Sequence, residues 1–132
     1  MKTNYRLVLA VLAGFSIGIA GVKATHAGQV TPPPAYVISE VDAMDLAGIQ
    51  KYGEKVGDTL APFNGHYHFL VGGGAKIQAL DGEPPKGIVV LAFDSAEKAR
   101  EWYDSPAYAA IKPIRQSAAK ARIYIVEGLA PQ

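Results

Sequence analysis

After residue 34 the chain alternates short apolar runs with polar punctuation, and each run has the period of a recognisable element. "AYVISEVD", residues 35 to 42, is rich in β-branched and aromatic residues and reads as a first strand. Leu46, Ile49, Val56 and Leu60 then recur at the spacing of one helical stripe, with Asp42 as the expected cap and Pro62 as the stop. Gly48, Gly53 and Gly57 fall inside that helix. Each costs roughly 0.5 to 1 kcal/mol against alanine, so the helix is weak or a neighbour lies close to its backbone.

"GHYHFLVGGG", 65 to 74, is a second strand running into a glycine cluster, with "AKIQAL", 75 to 80, expected to continue it past a bulge. "DGEPPKG", 81 to 87, is a turn, since Asp-Gly permits positive φ and the prolines cannot enter a central ladder. "IVVLAF", 88 to 93, is apolar at every position, so both its faces should be covered. Asp94 or Ser95 begins the next helix, Asp94 and Glu97 having capping-box spacing. That helix carries Ala96, Ala99 and Tyr103 on one face with Trp102 beside it. Ser105 and Pro106 form a cap followed by the residue suited to the first helical position. Pro113 is expected to split this new helix, leaving a second segment over 113–120 before the last strand, "ARIYIVEG", 121 to 128.

The order strand, helix, strand, strand, helix, strand is that of an α+β, ferredoxin-like βαββαβ domain with a four-stranded antiparallel sheet. Helices cover one face of such a sheet and leave the other bare. A strand apolar on both sides therefore predicts a second copy stacked sheet to sheet, a homodimer of the dimeric α/β-barrel type.

The first 27 residues read differently. Lys2 and Arg6 precede an apolar run from Leu7 to Val22, and Thr25, His26 and Ala27 supply small residues near a cleavage point, the pattern of a secretory signal peptide. At about 16 residues the run is shorter than the roughly 20 of a spanning helix, so no stable membrane span is expected after leader cleavage. The destination is periplasmic or secreted, and residues 28–34 are a proline-rich lead-in, 35–128 the folded domain and 129–132 a tail. The chain has no cysteine, which excludes disulfides, thiol nucleophiles and thiolate metal sites. Three of its 13 Lys and Arg lie in the leader, leaving ten against 12 Asp and Glu. A mature domain near −2 without a basic cluster is a poor partner for nucleic acid.

"AYVISEVD" and "PPKGIVVLAFDSAEKAREWYDSPAYAAIKPIRQSAAKARIYIVEG", joined by a glycine-rich hairpin, resemble the domain of unknown function 1330 family over residues 35 to 128. The resemblance implies a small dimeric α/β barrel and leaves the reaction open. The family pattern places an arginine directly before paired glycines, where this chain has Leu70, Val71 and then Gly72 to Gly74, so no role of that arginine is carried over.

Candidate chemistry is sparse. His66 and His68, two apart on a strand, point to one face and are the candidate catalytic base, or a metal pair with Glu40, Asp42 or Glu127 as conjectural partners. Arg115 can hold a carboxylate bidentately, or pair structurally with Asp104 or Glu127. Trp102, Tyr108 and Tyr52 are candidate ligand contacts with packing as the plain alternative, Tyr52 because it falls off the apolar stripe. Gly72 to Gly74 is no phosphate loop, lacking the following Gly-Lys-Ser/Thr. No metal site or cofactor is predicted. Three functions fit: a cofactor-free enzyme acting on a small organic acid or aromatic molecule, a noncatalytic ligand-binding module, or a purely structural dimer.

Overall fold

The computed structural model describes residues 30–71 and 77–129. The signal peptide predicted over 1–27, residues 28 and 29 of the lead-in, Gly72 to Gly74 and most of the tail lie outside them. The elements are β1 (Ala35–Ala43), α1 (Leu46–Leu60), a 3-10 turn (Ala61–Phe63), β2 (His66–Val71), β3 (Gly87–Phe93), α2 (Ala96–Tyr103), α3 (Pro106–Ala118) and β4 (Ala119–Glu127). The strands form one antiparallel sheet in the order β2-β3-β1-β4. This is the α+β, ferredoxin-like arrangement. Within one chain the sheet is open and does not close into a barrel.

Register fixes what each face carries. Val37 pairs with Leu91 and with Ile125, so these residues share the helix-covered face, where Val37, Leu91, Phe93, Trp102 and Tyr108 form the buried core with Val56 and Leu60. Their neighbours Tyr36, Ile38, Ile88, Val90, Tyr124 and Val126 turn to the other side by the two-residue period of a strand. Gly128 donates its backbone N–H to the Pro34 carbonyl at 2.6 Å, tying the two ends of the domain together.

Several local expectations change. Asp42 does not cap α1: β1 runs on to Ala43, and Asp42 stands in the ladder opposite Lys120, paired through its side chain with Lys86 at 2.8 Å. Asp45 caps instead, its carboxylate accepting from the Ala47 N–H at 3.1 Å. Ser95 alone caps α2, accepting from the Lys98 N–H, while Asp94 accepts from Asn64 Nδ2 at 2.7 Å. The Ser105–Pro106 start of α3 is as expected, the Ser105 hydroxyl accepting from the Tyr108 N–H at 3.2 Å.

Pro113 does not split that helix, which continues to Ala118, and β4 begins two residues earlier than expected. Proline removes one donor, and the carbonyl it strands belongs to Ala109, four residues back. Both residues are exposed, so water can serve that carbonyl, while buried Tyr108 and Arg115 hold the helix down on either side. Residues 77–80 are not a strand, and the irregularity of β2 falls earlier, at His68, where the register steps from Tyr67–Leu91 to Phe69–Val90. Among the described residues no helix is long and apolar enough to cross a membrane.

Candidate functional site

The way α1 is held creates a cavity. A Cβ on Gly48 would stand 2.7 Å from the Ala118 Cβ, and the Met44 and Asp45 N–H groups both donate to the Ala118 carbonyl, at 2.8 and 3.0 Å. The glycine therefore lets the start of α1 close onto the end of α3. With α1 packed chiefly along α3, its side chains rather than its backbone reach the sheet. Beneath it lies a space of about 240 Å³.

Its floor is apolar, with Val89, Leu91 and Ile123 beside Ser39, and its walls are largely aromatic: Tyr52 from α1, Tyr67 from β2, Trp102 from α2 and Tyr108 from α3. Trp102 and Tyr108 have ring centroids 4.2 Å apart, and Phe93 and Tyr103 extend the cluster. Their packing is tight enough to fix each ring. The Trp102 indole N–H donates to Thr59 Oγ1 at 2.9 Å, and that hydroxyl donates to the Val56 carbonyl at 2.7 Å, so the buried polar tips are satisfied. The Tyr52 and Tyr108 hydroxyls share a hydrogen bond of 3.1 Å. Burial, reinforced by the neighbouring Tyr108, holds the Tyr52 phenol well above its ordinary ionisation range, and burial raises Tyr67 as well. Both therefore enter the cavity as neutral hydroxyls.

Arg115 is the exception to this tidy accounting. It lines the cavity, is only 7% exposed, and lies near enough to Tyr52 for its charge to act on that phenol. Its Nε is buried without a hydrogen-bond partner among the described residues. The expected pairs with Asp104 or Glu127 do not form: among the described residues the ion pairs are Lys86–Asp42, Lys98–Glu101 and Arg122–Glu40. Arg115 sits in the last turn of α3, where the helix dipole favours a cation by about 0.3 to 1 kcal/mol. Removing a cation from water costs several kcal/mol, so the dipole does not compensate it.

The histidines lie elsewhere. His66 pairs with Ala92 on the open face, and His68 places its ring 5.3 Å from that of Tyr36, also on the open face. They do share a face, but it is the one opposite the cavity, so neither candidate base stands beside Arg115. Among the described residues no three His, Asp or Glu side chains are grouped to hold a metal. The four predicted ligand contacts, Tyr52, Trp102, Tyr108 and Arg115, are brought together in one wall. Sequence reasoning missed Tyr67 and Ser39. Strand alternation carried the signal for Tyr67: a residue between two histidines on one face must point to the other.

A second depression, about 320 Å³, lies at the end of the sheet among Glu40, Asp42, Lys86, Lys120 and Arg122. It is wide and shallow, and most of its charges already satisfy one another. Arg122 and the Tyr124 hydroxyl both donate to Glu40, which holds that carboxyl below its usual range, and Lys86 pairs with Asp42. The more enclosed cavity beneath α1, whose Arg115 makes no ion pair among the described residues, is the stronger candidate.

Comparison with solved structures places this fold among known proteins. A protein of unknown function from Rhodopseudomonas palustris superposes with a TM-score of 0.57 at 16% identity, over 75% of this chain and 85% of that one. SnoaB, a cofactor-independent oxygenase from Streptomyces nogalater, superposes at 0.55 with 6% identity, over 74% and 94% of the two chains. At such identities the likeness is one of fold. No curated protein matches the sequence. The profile of the family described as "Domain of unknown function (DUF1330)" matches residues 34–129, the whole of β1 through β4, and the chain belongs to that family.

Proposed function

We propose that the protein is an exported homodimer that binds a small organic molecule, an organic acid or an aromatic compound, in the cavity between its sheet and helices. The observation that carries this reading is the cavity itself: about 240 Å³, walled by four aromatic side chains and holding one cation that nothing in the described residues neutralises. An engineered cavity of roughly 150 Å³ accepts benzene, so this one has room for a ring with a short substituent. Binding needs no cofactor, and the wall offers no carboxylate or imidazole to act as a general base. That absence among the described lining residues favours ligand binding over acid–base catalysis. The fold shared with SnoaB, itself a cofactor-independent oxygenase, keeps catalysis as the second reading.

The dimer is supported by the bare sheet face, where Ile38, Ile88 and Val90 are only partly covered and Tyr124 and Val126 are 42% and 40% exposed. Export is supported by the basic start and apolar run of the first 27 residues. A thermal-shift screen of small carboxylates and aromatics against the purified protein tests the ligand. A rise in melting temperature with some members is expected, and a flat response across the panel overturns the reading. Sedimentation at micromolar concentration tests the dimer, and the amino-terminal sequence of protein recovered outside the cytoplasm tests export.

A further inference from the structure

We propose that the cavity selects a monoanionic aromatic carboxylate, with its carboxylate on Arg115 and its ring against Trp102, Tyr108 and Tyr52. The inference rests on reading the cavity as a ligand pocket and adds the charge and shape of the occupant. Three observations carry it. Arg115 is more than nine-tenths buried, lines the cavity, and has an Nε with no acceptor among the described residues. No Asp or Glu is found among the described lining residues, so the balancing negative charge must come from what enters. Only one cation is present there, so a single charge is neutralised, and a second would be buried without a partner.

The remaining surface explains the ring. Outside Arg115 and Ser39, the polar groups of the wall belong to aromatic side chains, and the Tyr52 and Tyr108 hydroxyls are already joined at 3.1 Å. An aliphatic acid as small as acetate would satisfy the guanidinium and leave the aromatic space unfilled. A neutral aromatic would fill the space and leave the guanidinium bare. A carboxylate matches the planar fork of an arginine with two parallel N–H···O bonds, which a lysine ammonium cannot reproduce.

The chain has one tryptophan, and it stands in the cavity wall, so its fluorescence reports occupancy at this site. Benzoate, benzyl alcohol and acetate are titrated into the full chain while Trp102 emission and heat of binding are followed. Benzoate is expected to bind at least tenfold more tightly than either of the others and to perturb Trp102. Arg115→Gln should remove that preference, bringing benzoate to the level of benzyl alcohol, and Arg115→Lys should retain only part of it. Benzyl alcohol binding as tightly as benzoate overturns the charge requirement while leaving the pocket reading intact. Acetate binding as tightly as benzoate overturns the aromatic requirement. If none of the three binds, the pocket reading itself falls and this inference with it. Should Arg115→Gln fail to fold, the comparison among the three probes on the unaltered protein decides the matter alone.

Discussion

Three glycines in one helix fall into two cases at the scale of single residues. Gly48 meets Ala118 so closely that an added methyl would sit 2.7 Å from it, whereas nothing among the described residues lies within 4 Å of a Cβ at Gly53 or Gly57. Gly48→Ala is therefore expected to destabilise the protein by prising α1 from α3. Gly57→Ala should stabilise it by roughly 0.5 to 1 kcal/mol, the ordinary gain in helix propensity. Urea unfolding of the two variants separates the cases. Tyr52 carries a second expectation. Its phenol titrates above its ordinary value of 10.0 because it is buried, so the stabilisation linked to its neutral form is whole below about pH 10 and is lost as the pH climbs beyond. The urea midpoint of the protein should fall through that alkaline range, and fall less in Tyr52→Phe. Residue type marked Arg115, Trp102 and Tyr108 as candidates, and a place off the apolar stripe marked Tyr52. Neither signal could show that these converge, since convergence depends on the contact between Gly48 and Ala118, 70 positions apart in the chain.

Elements defined by local signals were legible, and those defined by competition between signals were not. Ser105 and Pro106 determine the start of α3 through bonds that span three residues, and no distant contact opposes them. Ser105→Ala should cost about 1 kcal/mol, read as a lowered melting temperature with the fold intact. The end of β1 is different: Asp42 is a good cap in isolation, yet the ladder to Lys120 and the ion pair with Lys86 draw it into the strand and leave Asp45 to begin α1. Pro113 is a breaker by propensity, overridden because its neighbours in the helix are anchored in the core. Replacing it with alanine restores one backbone hydrogen bond and should raise stability, as checked by urea unfolding. The bulge at His68 had no local signature, and it lies four residues ahead of Gly72, the first of the glycines expected to announce one.

For the whole molecule, the decisive question is what covers the second face of the sheet. "IVVLAF" was legible as a strand needing two dry sides, and the structure supplies one of them, through Val89, Leu91 and Phe93. Val90 points the other way and is only partly buried in one chain, whereas Leu91 is 4% exposed in the core. Two aspartate substitutions at adjacent positions should thus fail differently. Leu91→Asp should not fold, because it buries an unpaired charge against Trp102 and Val56. Val90→Asp should give a folded monomer, with native circular dichroism and half the sedimenting mass. A dimer that survives Val90→Asp would place the interface elsewhere.

The hydrogen bond from Gly128 to Pro34 brings both ends of the domain to one corner, beside the paired edges of β1 and β4. Splicing these ends through a short flexible bridge, with new termini opened in the exposed turn around Gly82, should yield a rearranged chain that keeps its sheet order and its cavity. For the same reason a fusion partner attached directly before Pro34 or after Gly128 would emerge at that one corner, whichever end carried it.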